Sequence, residues 1–244
     1  MSIKFDKIRV IETGYNSAAW NMALDEVLMG IVNDTPILRL YGWRPPAVSI
    51  GYFQSLEEEV DLESCKKIGI NVVRRVTGGG AVLHDAELTY SFITRRYPQS
   101  IIESYKWICD AIIMGIKGLG FDASFAPLND IVVDGRKVSG NAQTRKNGVL
   151  LQHGTLLLNV DIEKMFSVLK VPSEKLKDKM VQSAKERVTD LRRSFEEVAE
   201  AVKQGFGKKF SAELIAYDIS PDEKIAVGNL AKEKYSKPEW TGQR

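Results

Sequence analysis

This 244-residue chain has few cysteines, no long hydrophobic run and no large excess of either charge. Each of these features excludes a class of protein. The two cysteines, Cys65 and Cys109, make neither a disulfide framework nor a CxxC metal site, which fits a reducing compartment. No apolar run reaches 18 residues and the N-terminus lacks a signal-peptide core, so we expect a cytoplasmic protein without a membrane partner. The net charge is only +2, so composition indicates no nucleic-acid partner.

The sequence also lacks the short patterns that mark several common enzyme families. No GxxxxGK[ST] phosphate loop is present, and no GxGxxG opens a helix after a predicted strand. A GxSxG turn and an HExxH helix are absent as well. Cys65 and Cys109 fall on the apolar faces of predicted helices, where we expect small buried hydrophobic residues and not nucleophiles.

The chain does contain an irregular alternation of helical and strand patterns. Hydrophobic residues make up 44% and charged residues 27%, as in globular proteins with a sizeable core. The order fits neither regular βαβ units nor a sandwich, so we predict an α+β fold with mixed, mostly antiparallel sheets flanked by helices. We interpret NVVRRVT, GAVLH and LTYSFIT as a three-stranded meander, and Asp134-Gly135 as a type I′ hairpin turn.

The stretch RRVTGGGAVLHD, residues 74–85, is the first candidate for chemistry. The glycines at 78–80 either form a tight turn or leave room for a ligand close to the backbone, and three in succession favour the ligand. Strand alternation places Arg74 and Arg75 on opposite faces, so that one of them can face a pocket. His84, beside an aspartate, is either a structural histidine or a site residue.

A second candidate is the stretch NDIVVDGRKVSGNAQ. Asn129 and Asp130 form either a simple turn or part of a site for a metal or a ribose. Lys137 follows the predicted hairpin turn, so its ammonium would project from a rigid strand and could bind a phosphate or carboxylate, although most lysines are surface residues. The small residues Gly140 and Ala142 indicate that something packs closely beside it.

A third candidate is QHGTLLLNV, in which His153 and Gly154 interrupt an apolar strand. They indicate either a bulge around a core histidine or the floor of a pocket. From the residues alone, the protein is a soluble α+β domain with a glycine-lined pocket for a small anionic or nucleotide-like ligand.

Four stretches occur in a fixed order: RRVTGGGAVLHD, ND followed by GRKVSGNAQ, HGTLLLNVD and SAKERVTDL. From about Ile37 to Leu191 they resemble the lipoate–protein ligase family, within the biotin/lipoate ligase superfamily. The resemblance implies a single ligase-like catalytic domain over residues 1–244, using ATP and Mg²⁺ without a permanently bound cofactor. Lipoate would attack the α-phosphate of ATP, and the resulting lipoyl-AMP would acylate a specific lysine of a carrier domain.

The resemblance also implies a role for each matched residue. Lys137 is expected to be the catalytic residue, contacting the carboxylate and α-phosphate oxygens, and Arg74 is expected to face the same charges. The remaining expectations are substrate contacts from Gly78, Gly79, Gly80, His84, Gly140, Ala142, His153 and Gly154, nucleotide contacts from Val82, Asn129 and Lys137, and metal binding by Asp130.

The expected partners are lipoyl carrier domains, namely the E2 subunits of 2-oxo-acid dehydrogenases and the H protein of glycine cleavage. The chain is too short for the additional C-terminal domain of many ligases. It therefore resembles the bipartite type, in which a separate small accessory subunit completes the adenylation activity. The stretch KVPSEKLKDKMVQSAKERV matches the region that closes over the adenylate in the family, or is simply a solvated helical face.

Two other functions stay open. Related octanoyltransferases move an acyl group from a carrier protein, and the cysteine-dependent type places its nucleophile just before the position of NDIVV. This chain has ASFAPLND there, which disfavours a thiol transferase. The alternative to the ligase is an octanoyl or lipoyl transferase that moves a preformed acyl group without ATP. A third hypothesis is a non-catalytic module that binds a lipoyl-nucleotide.

Overall fold

A computed structural model, which describes residues 3–171 and 174–244, is organised around two β-sheets. The strands in chain order are β1 (Lys7–Asn16), β2 (Ile37–Trp43), β3 (Ala47–Ile50), β4 (Asn71–Arg74), β5 (Val82–His84), β6 (Glu87–Thr94), β7 (Ala123–Ala126), β8 (Asp130–Val133), β9 (Arg136–Lys146), β10 (Val149–Leu157) and β11 (Glu213–Ala216). The large sheet has the order β11-β1-β2-β6-β10-β9-β8-β7, and the small sheet has the order β4-β3-β5.

Helices cover both faces of the large sheet. In chain order they are α1 (Ala18–Ile31), α2 (Leu56–Glu59), α3 (Leu62–Lys67), α4 (Ile101–Gly118), α5 (Ile162–Val168), α6 (Glu174–Arg187), α7 (Phe195–Phe210), α8 (Pro221–Leu230), a π-helical turn (Ala231–Tyr235) and α9 (Pro238–Thr241). Within the described ranges, none of them combines the length and apolar character needed to cross a membrane.

Strand alternation divides the core into two layers. Leu38 and Leu40 of β2 point into a cluster with the apolar faces of α4 and α7. Ile37 and Tyr41 of the same strand point into a second cluster, built on α1. Because successive strand side chains leave opposite faces of the sheet, a strand buried on both faces supplies both layers.

The predicted α+β class and mixed sheet are confirmed. The strands β11, β1 and β2 are parallel to one another, whereas the other neighbouring strands of the large sheet pair antiparallel. The Asp134-Gly135 turn is confirmed as well, since the φ angles of both residues are positive, at 49° and 75°.

The predicted meander is wrong. Strands β4 and β5 do not pair with each other, because each pairs with β3 in the small sheet. Strand β6 instead lies between β2 and β10 in the large sheet. The small sheet has its own apolar cluster, which includes Val48, Ile50 and Val168, and this burial holds its strands apart from β6.

Candidate active site

A cavity of about 190 Å³ lies where the small sheet meets the large one. Its wall contains residues of both sheets together with Met22 of α1 and the glycine loop after β4. Most of the predicted site residues line it: Gly79, Gly80, Val82, His84, Asn129, Lys137, Gly140, Ala142, His153 and Gly154. Sequence stretches far apart in the chain therefore converge on one concave site, as ligand pockets usually require.

Lys137 forms an ion pair with Asp130 at this cavity. Its Nζ donates to Oδ1 of Asp130 over 2.8 Å, and the two side chains are 43% and 29% exposed. A β-bulge shifts the pairing of β8 and β9 between Ile131 and Val132, which re-aims the residues after the hairpin turn. A Cβ atom on Gly140 would lie 3.1 Å from both Cε and Nζ of Lys137. The absence of a side chain at Gly140 therefore leaves room for the Lys137 ammonium.

The fourth sequence stretch, SAKERVTDL, anchors the backbone of Lys137. Val188 bridges Lys137 in parallel, and the amide of Thr189 donates to the Lys137 carbonyl over 2.8 Å. In the preceding stretch KVPSEKLKDKMVQSAKERV, residues 174–187 form α6, whereas Pro172 and Ser173 lie outside the described residues. The expected closure of that stretch over a ligand stays a prediction.

The glycine loop is held by Arg75. The guanidinium of Arg75 donates to the carbonyls of Gly78 and Gly80, each over 2.7 Å, and to the carbonyl of Ser49 over 2.9 Å. Gly79 has a φ of 91°, and a Cβ atom there would lie 3.0 Å from the same guanidinium. The loop therefore needs glycine at position 79 for both conformation and space.

Arg75, and not Arg74, carries positive charge in the cavity wall. It donates to neutral hydroxyl and carbonyl oxygens. Burial lowers the pKa of Arg75 to about 10, which leaves it charged at neutral pH. The positive charge beside the glycine loop is thus available to a developing negative charge on a ligand.

The expectation that Arg74 faces the substrate is corrected by its position. Arg74 is fully buried outside the cavity wall, and its guanidinium donates to backbone carbonyls of Gly51, Tyr52, Gln54, Trp240 and Thr241. These bonds tie α9 to the strand that carries the glycine loop. Arg74 therefore has a structural role in this region, which differs from the substrate-facing role that the family resemblance implied.

Gly78 and Asn129 both make contacts within the protein. Gly78 lies outside the wall of this cavity, beside the ring of Phe53, and lines a neighbouring groove. The amide of Asn129 donates to the Asn141 carbonyl, and the amide of Asn141 donates to the Asn129 carbonyl over 2.7 Å. Asn129 lies in the cavity wall, but these paired amide contacts brace β8 against β9.

Asp130 does not fit a metal site held by the protein. Among the described residues, no group of three or more His, Cys, Asp or Glu side chains could hold a metal ion. The Asp130 carboxylate is instead neutralised by Lys137. Magnesium prefers several oxygen ligands in an octahedral arrangement, and among the described residues Asp130 has no cluster of acidic, histidine or cysteine side chains around it that would complete one.

His153 belongs to a buried polar network below the glycine loop. Its Nε2 lies 2.7 Å from Oγ1 of Thr77, and its Nδ1 lies 3.4 Å from Oδ2 of Asp25. Asp25 is paired with Arg39 over 2.7 Å, and burial lowers the pKa of His153 despite the nearby carboxylate. Pairing of β10 with both neighbours is regular through His153, so the predicted alternative of a bulge is wrong, and the histidine lines the cavity.

His84 also lines this cavity and has contacts on three sides. Its ring stacks on Trp43 with a centroid distance of 3.9 Å and an angle of 14°. Its Nε2 lies 2.7 Å from Oγ of Ser49, and its Nδ1 lies 2.6 Å from Oε1 of Glu87. The imidazole therefore has one orientation relative to the cavity.

Sequence reasoning missed several wall residues, including Tyr41, Trp43, Ser49 and Thr89. Tyr41 and Trp43 look like ordinary strand residues in the sequence. Their place in the wall depends on long-range pairing of β2 with β6 and of β3 with β5, which short stretches of sequence do not reveal. Arg75 did carry a signal, because strand alternation places the two arginines on opposite faces, so that one of them can face a pocket.

Neither cysteine belongs to the site. Cys65 packs in the small-sheet cluster and Cys109 in the cluster under α4. Burial raises the pKa of Cys65 to about 11 and that of Cys109 to about 12, so both stay as neutral thiols. Within the part of the chain that the structure describes, the cavity has no thiol in its wall.

A second cavity, of about 260 Å³, adjoins the first. The two share Ala81, Val82, Lys137, Gly140 and Thr155, so Lys137 lies at their junction. The second has largely apolar walls that include Leu83, Leu157, Met165 and Val188. A larger groove of about 1010 Å³ lies elsewhere, along β1, β11 and α7, and none of the predicted site residues lines it.

With this geometry in place, comparison with known proteins identifies the family. Residues 17–211 match the lipoyl protein ligase A/B catalytic domain. The chain belongs to this family. The protein is therefore an enzyme of the lipoate ligase and transferase family, within the biotin/lipoate ligase superfamily, and the recognised resemblance is confirmed.

Individual members of the lipoyl protein ligase A/B family align with nearly the whole chain. Octanoyltransferase LipM of Anoxybacillus flavithermus is 41% identical over 97% of this chain and 98% of its own length. Octanoyltransferase LipM of Bacillus subtilis is 37% identical over the same shares. A bipartite lipoate protein ligase of Thermoplasma acidophilum, described with its E2 lipoyl domain, superposes with a TM-score of 0.92 at 33% identity, covering 98% of both chains.

The prediction of an ATP-dependent lipoate–protein ligase is wrong. Relatives that align with almost the full chain at 37% to 41% identity are octanoyltransferases. They favour the alternative, a transferase that moves a preformed acyl group. The missing cysteine before NDIVV was given too much weight, because it bears on which group carries the acyl chain and not on whether acyl transfer occurs.

Proposed function

We propose that this enzyme transfers a preformed octanoyl or lipoyl group from a thioester donor to a lysine of a lipoyl carrier domain, without ATP. The observation that carries the proposal is the full-length alignment with octanoyltransferases. The joined cavities support it, because an acyl chain needs an apolar enclosure with a few polar groups at its reacting end.

Lys137 is proposed to stabilise charge during transfer. When an amine attacks a thioester, negative charge develops on the carbonyl oxygen, and a positioned cation lowers that barrier. Lys137 lies at the junction of the two cavities, with Arg75 in the wall of the first. Lys137 is not proposed as the acyl carrier, because an amide formed on its own nitrogen would be too stable to pass the acyl group on.

The remaining expected roles are proposals for the same reaction. Gly80 and Ala142 are proposed to leave room for the acyl group. Gly79, Gly140 and Gly154 line the same cavity and are proposed to shape it by leaving room for the side chains of Arg75, Lys137 and Asn141. Val82 lines both cavities and is proposed to contact the acyl chain. Asp130 is proposed to orient the Lys137 ammonium through their 2.8 Å contact.

The proposed acceptors are the E2 lipoyl domains and the H protein expected from the sequence. Transfer to a lysine amine releases a thiol and forms an amide, so the reaction needs no nucleotide. A separate accessory subunit was expected for the adenylation activity and has no step in this reaction.

A two-donor assay tests the proposal. Purified enzyme and an apo lipoyl domain are incubated either with octanoyl-acyl carrier protein without nucleotide, or with free octanoate or lipoate plus ATP and Mg²⁺. Intact mass of the lipoyl domain reports acylation. We expect acylation with the thioester donor; acylation from the free acids with ATP, and none from the thioester, would refute the proposal.

A further inference from the structure

A hydroxyl, an imidazole and a carboxylate form a hydrogen-bonded chain at the wall of the first cavity. Oγ of Ser49 lies 2.7 Å from Nε2 of His84, and Nδ1 of His84 lies 2.6 Å from Oε1 of Glu87. All three residues are buried, and Ser49 and His84 line the cavity. This order of groups is the one that activates a serine as a nucleophile, with the histidine as general base and the carboxylate orienting it.

Neighbouring contacts assign the directions of these hydrogen bonds. Nη1 of Arg75 donates to Oγ of Ser49 over 3.1 Å, so the serine proton can point at Nε2 of His84. Oε1 of Glu87 also accepts from Oγ1 of Thr89, so Nδ1 of His84 is assigned the ring proton and donates to that acceptor oxygen. This is the tautomer that a general base requires, and a cation lies beside the serine oxygen.

Glu87 is placed to stabilise an imidazolium that forms on His84. Its Oε1 also accepts from Oγ1 of Thr89 over 2.6 Å, whereas Oε2 is buried with no hydrogen-bond partner in the described part of the chain. A buried polar atom left unpaired destabilises the folded protein. A neutral amide at this position could accept the same hydrogen bond from His84, so the costly carboxylate indicates a role beyond holding the ring.

A second hydrogen-bonded series of a hydroxyl, an imidazole and a carboxylate provides a comparison. Thr77, His153 and Asp25 also place a hydroxyl, an imidazole and a carboxylate in sequence. Thr77 lies outside the cavity wall, however, and the His153–Asp25 separation is longer, at 3.4 Å. Of the two hydrogen-bonded series, only Ser49–His84–Glu87 therefore has both its hydroxyl at the cavity and a short contact between its imidazole and its carboxylate.

We propose that Ser49 carries the acyl group as an oxyester between the thioester donor and the acceptor lysine, an inference that rests on the acyl transfer proposed above. Oγ attacks the thioester carbonyl carbon while its proton passes to Nε2 of His84. The C–O bond forms, the C–S bond breaks, and the sulfur leaves as a thiol with that proton. The neutral lysine amine then attacks the same carbon, the C–O bond breaks, and His84 returns the amine's proton to Ser49.

The chemistry of the cavity supports a serine in this role. Neither described cysteine reaches the cavity, and an amide on Lys137 would not release its acyl group. An oxyester remains reactive enough to acylate an amine, so each step from thioester to oxyester to amide can proceed. Arg75, 3.1 Å from Oγ, can stabilise the charge that develops during both steps.

Trapping of the acyl-enzyme tests the proposal directly. Wild-type enzyme is incubated without an acceptor, either with octanoyl-acyl carrier protein or with p-nitrophenyl octanoate, and digested for peptide mass analysis. We expect one octanoyl group on the peptide that contains Ser49. Ser49→Ala should lose the adduct and reduce transfer by about 10³-fold. Ser49→Cys should form a thioester, recognised by its rapid cleavage with neutral hydroxylamine.

Two further variants separate chemistry from folding. Ser91→Ala removes a different buried hydroxyl, outside the cavity wall, and should keep the adduct. Glu87→Gln should slow formation of the adduct while the thermal unfolding midpoint changes no more than in Ser91→Ala.

The outcomes distinguish this proposal from the proposed function. If the wild type transfers octanoyl groups without ATP but neither donor labels Ser49, and Ser49→Ala keeps its activity, Ser49 is not the carrier and the transferase stands. If p-nitrophenyl octanoate labels Ser49 but the thioester supports no transfer, the serine is a nucleophile and the proposed function is wrong. Absence of label on Ser49 from both donors overturns the inference in every case.

Discussion

Nζ of Lys137 lies 2.8 Å from Oδ1 of Asp130, and Gly140 is the residue paired with Asp130 on the neighbouring strand. The hairpin turn at 134–135 and the bulge after it hold this arrangement on strands instead of on a mobile loop. A site on paired strands keeps its charged group within the narrow tolerance that catalysis requires.

Replacing Lys137 by alanine should impair transfer without unfolding the protein. Loss of a cation that stabilises developing charge costs about 10²- to 10³-fold in rate. The side chain is 43% exposed, so little packing is lost. Steady-state kcat/KM with octanoyl-acyl carrier protein and thermal unfolding give the two readouts. Lys117→Ala, at an exposed lysine of α4, is the matched control, and an equal loss there would remove the specific role of Lys137.

Gly140→Ala should reduce activity by displacing the Lys137 ammonium. The added methyl group would lie 3.1 Å from Cε and Nζ, so the lysine must move, and a small displacement costs about 10- to 100-fold. Gly118→Ala is the control, because a Cβ atom there meets no other atom within 4 Å. Full activity of Gly140→Ala in the same assay would show that the position of the ammonium is not critical.

The two neighbouring arginines should give opposite phenotypes. Arg74→Ala leaves several buried carbonyls without a donor and should lower the free energy of unfolding by about 3 kcal/mol. Arg75→Lys keeps a charge but loses the fork that holds the glycine loop, and should mainly lower kcat. Urea unfolding and kinetics on both variants test this; a mainly kinetic defect in Arg74→Ala would contradict it.

Stability should fall in mild acid because of His153. Burial lowers the pKa of His153, so the folded state keeps it neutral where the unfolded state is protonated. Below the unfolded value of about 6.5 the unfolded chain binds more protons, and stability decreases as the pH falls. Above that value the contribution is fully present. His153→Gln should flatten the slope of unfolding free energy between about pH 7 and pH 5, and an unchanged slope would refute the assignment.

Local patterns were sufficient for much of the fold and the site. Turn chemistry located the Asp134-Gly135 hairpin that presents Lys137, and helical and strand patterns indicated an α+β fold. These features depend on residues within one turn or one strand, where side-chain preferences act directly. Local patterns alone did not place Gly79, His84 and His153 in one pocket. That expectation came from the family resemblance.

Features that depend on long-range pairing were not predictable in this way. The meander failed because β4 and β5 find their partner in β3, which precedes both in the chain. Strand alternation places Arg74 and Arg75 on opposite faces but does not say which one faces the pocket, and the substrate-facing role of Arg74 came from the family resemblance. Ser49 lies within an apolar strand, and only the fold brings it to His84 and Glu87.

The most direct test of the central claim is octanoyl transfer in the absence of ATP. Enzyme, octanoyl-acyl carrier protein and an apo lipoyl domain are mixed after treatment with apyrase, and the intact mass of the lipoyl domain is followed over time. The account predicts that the domain gains one octanoyl group on its acceptor lysine at a rate that added ATP does not change. A domain that stays unmodified until a free acid and ATP are supplied would contradict it.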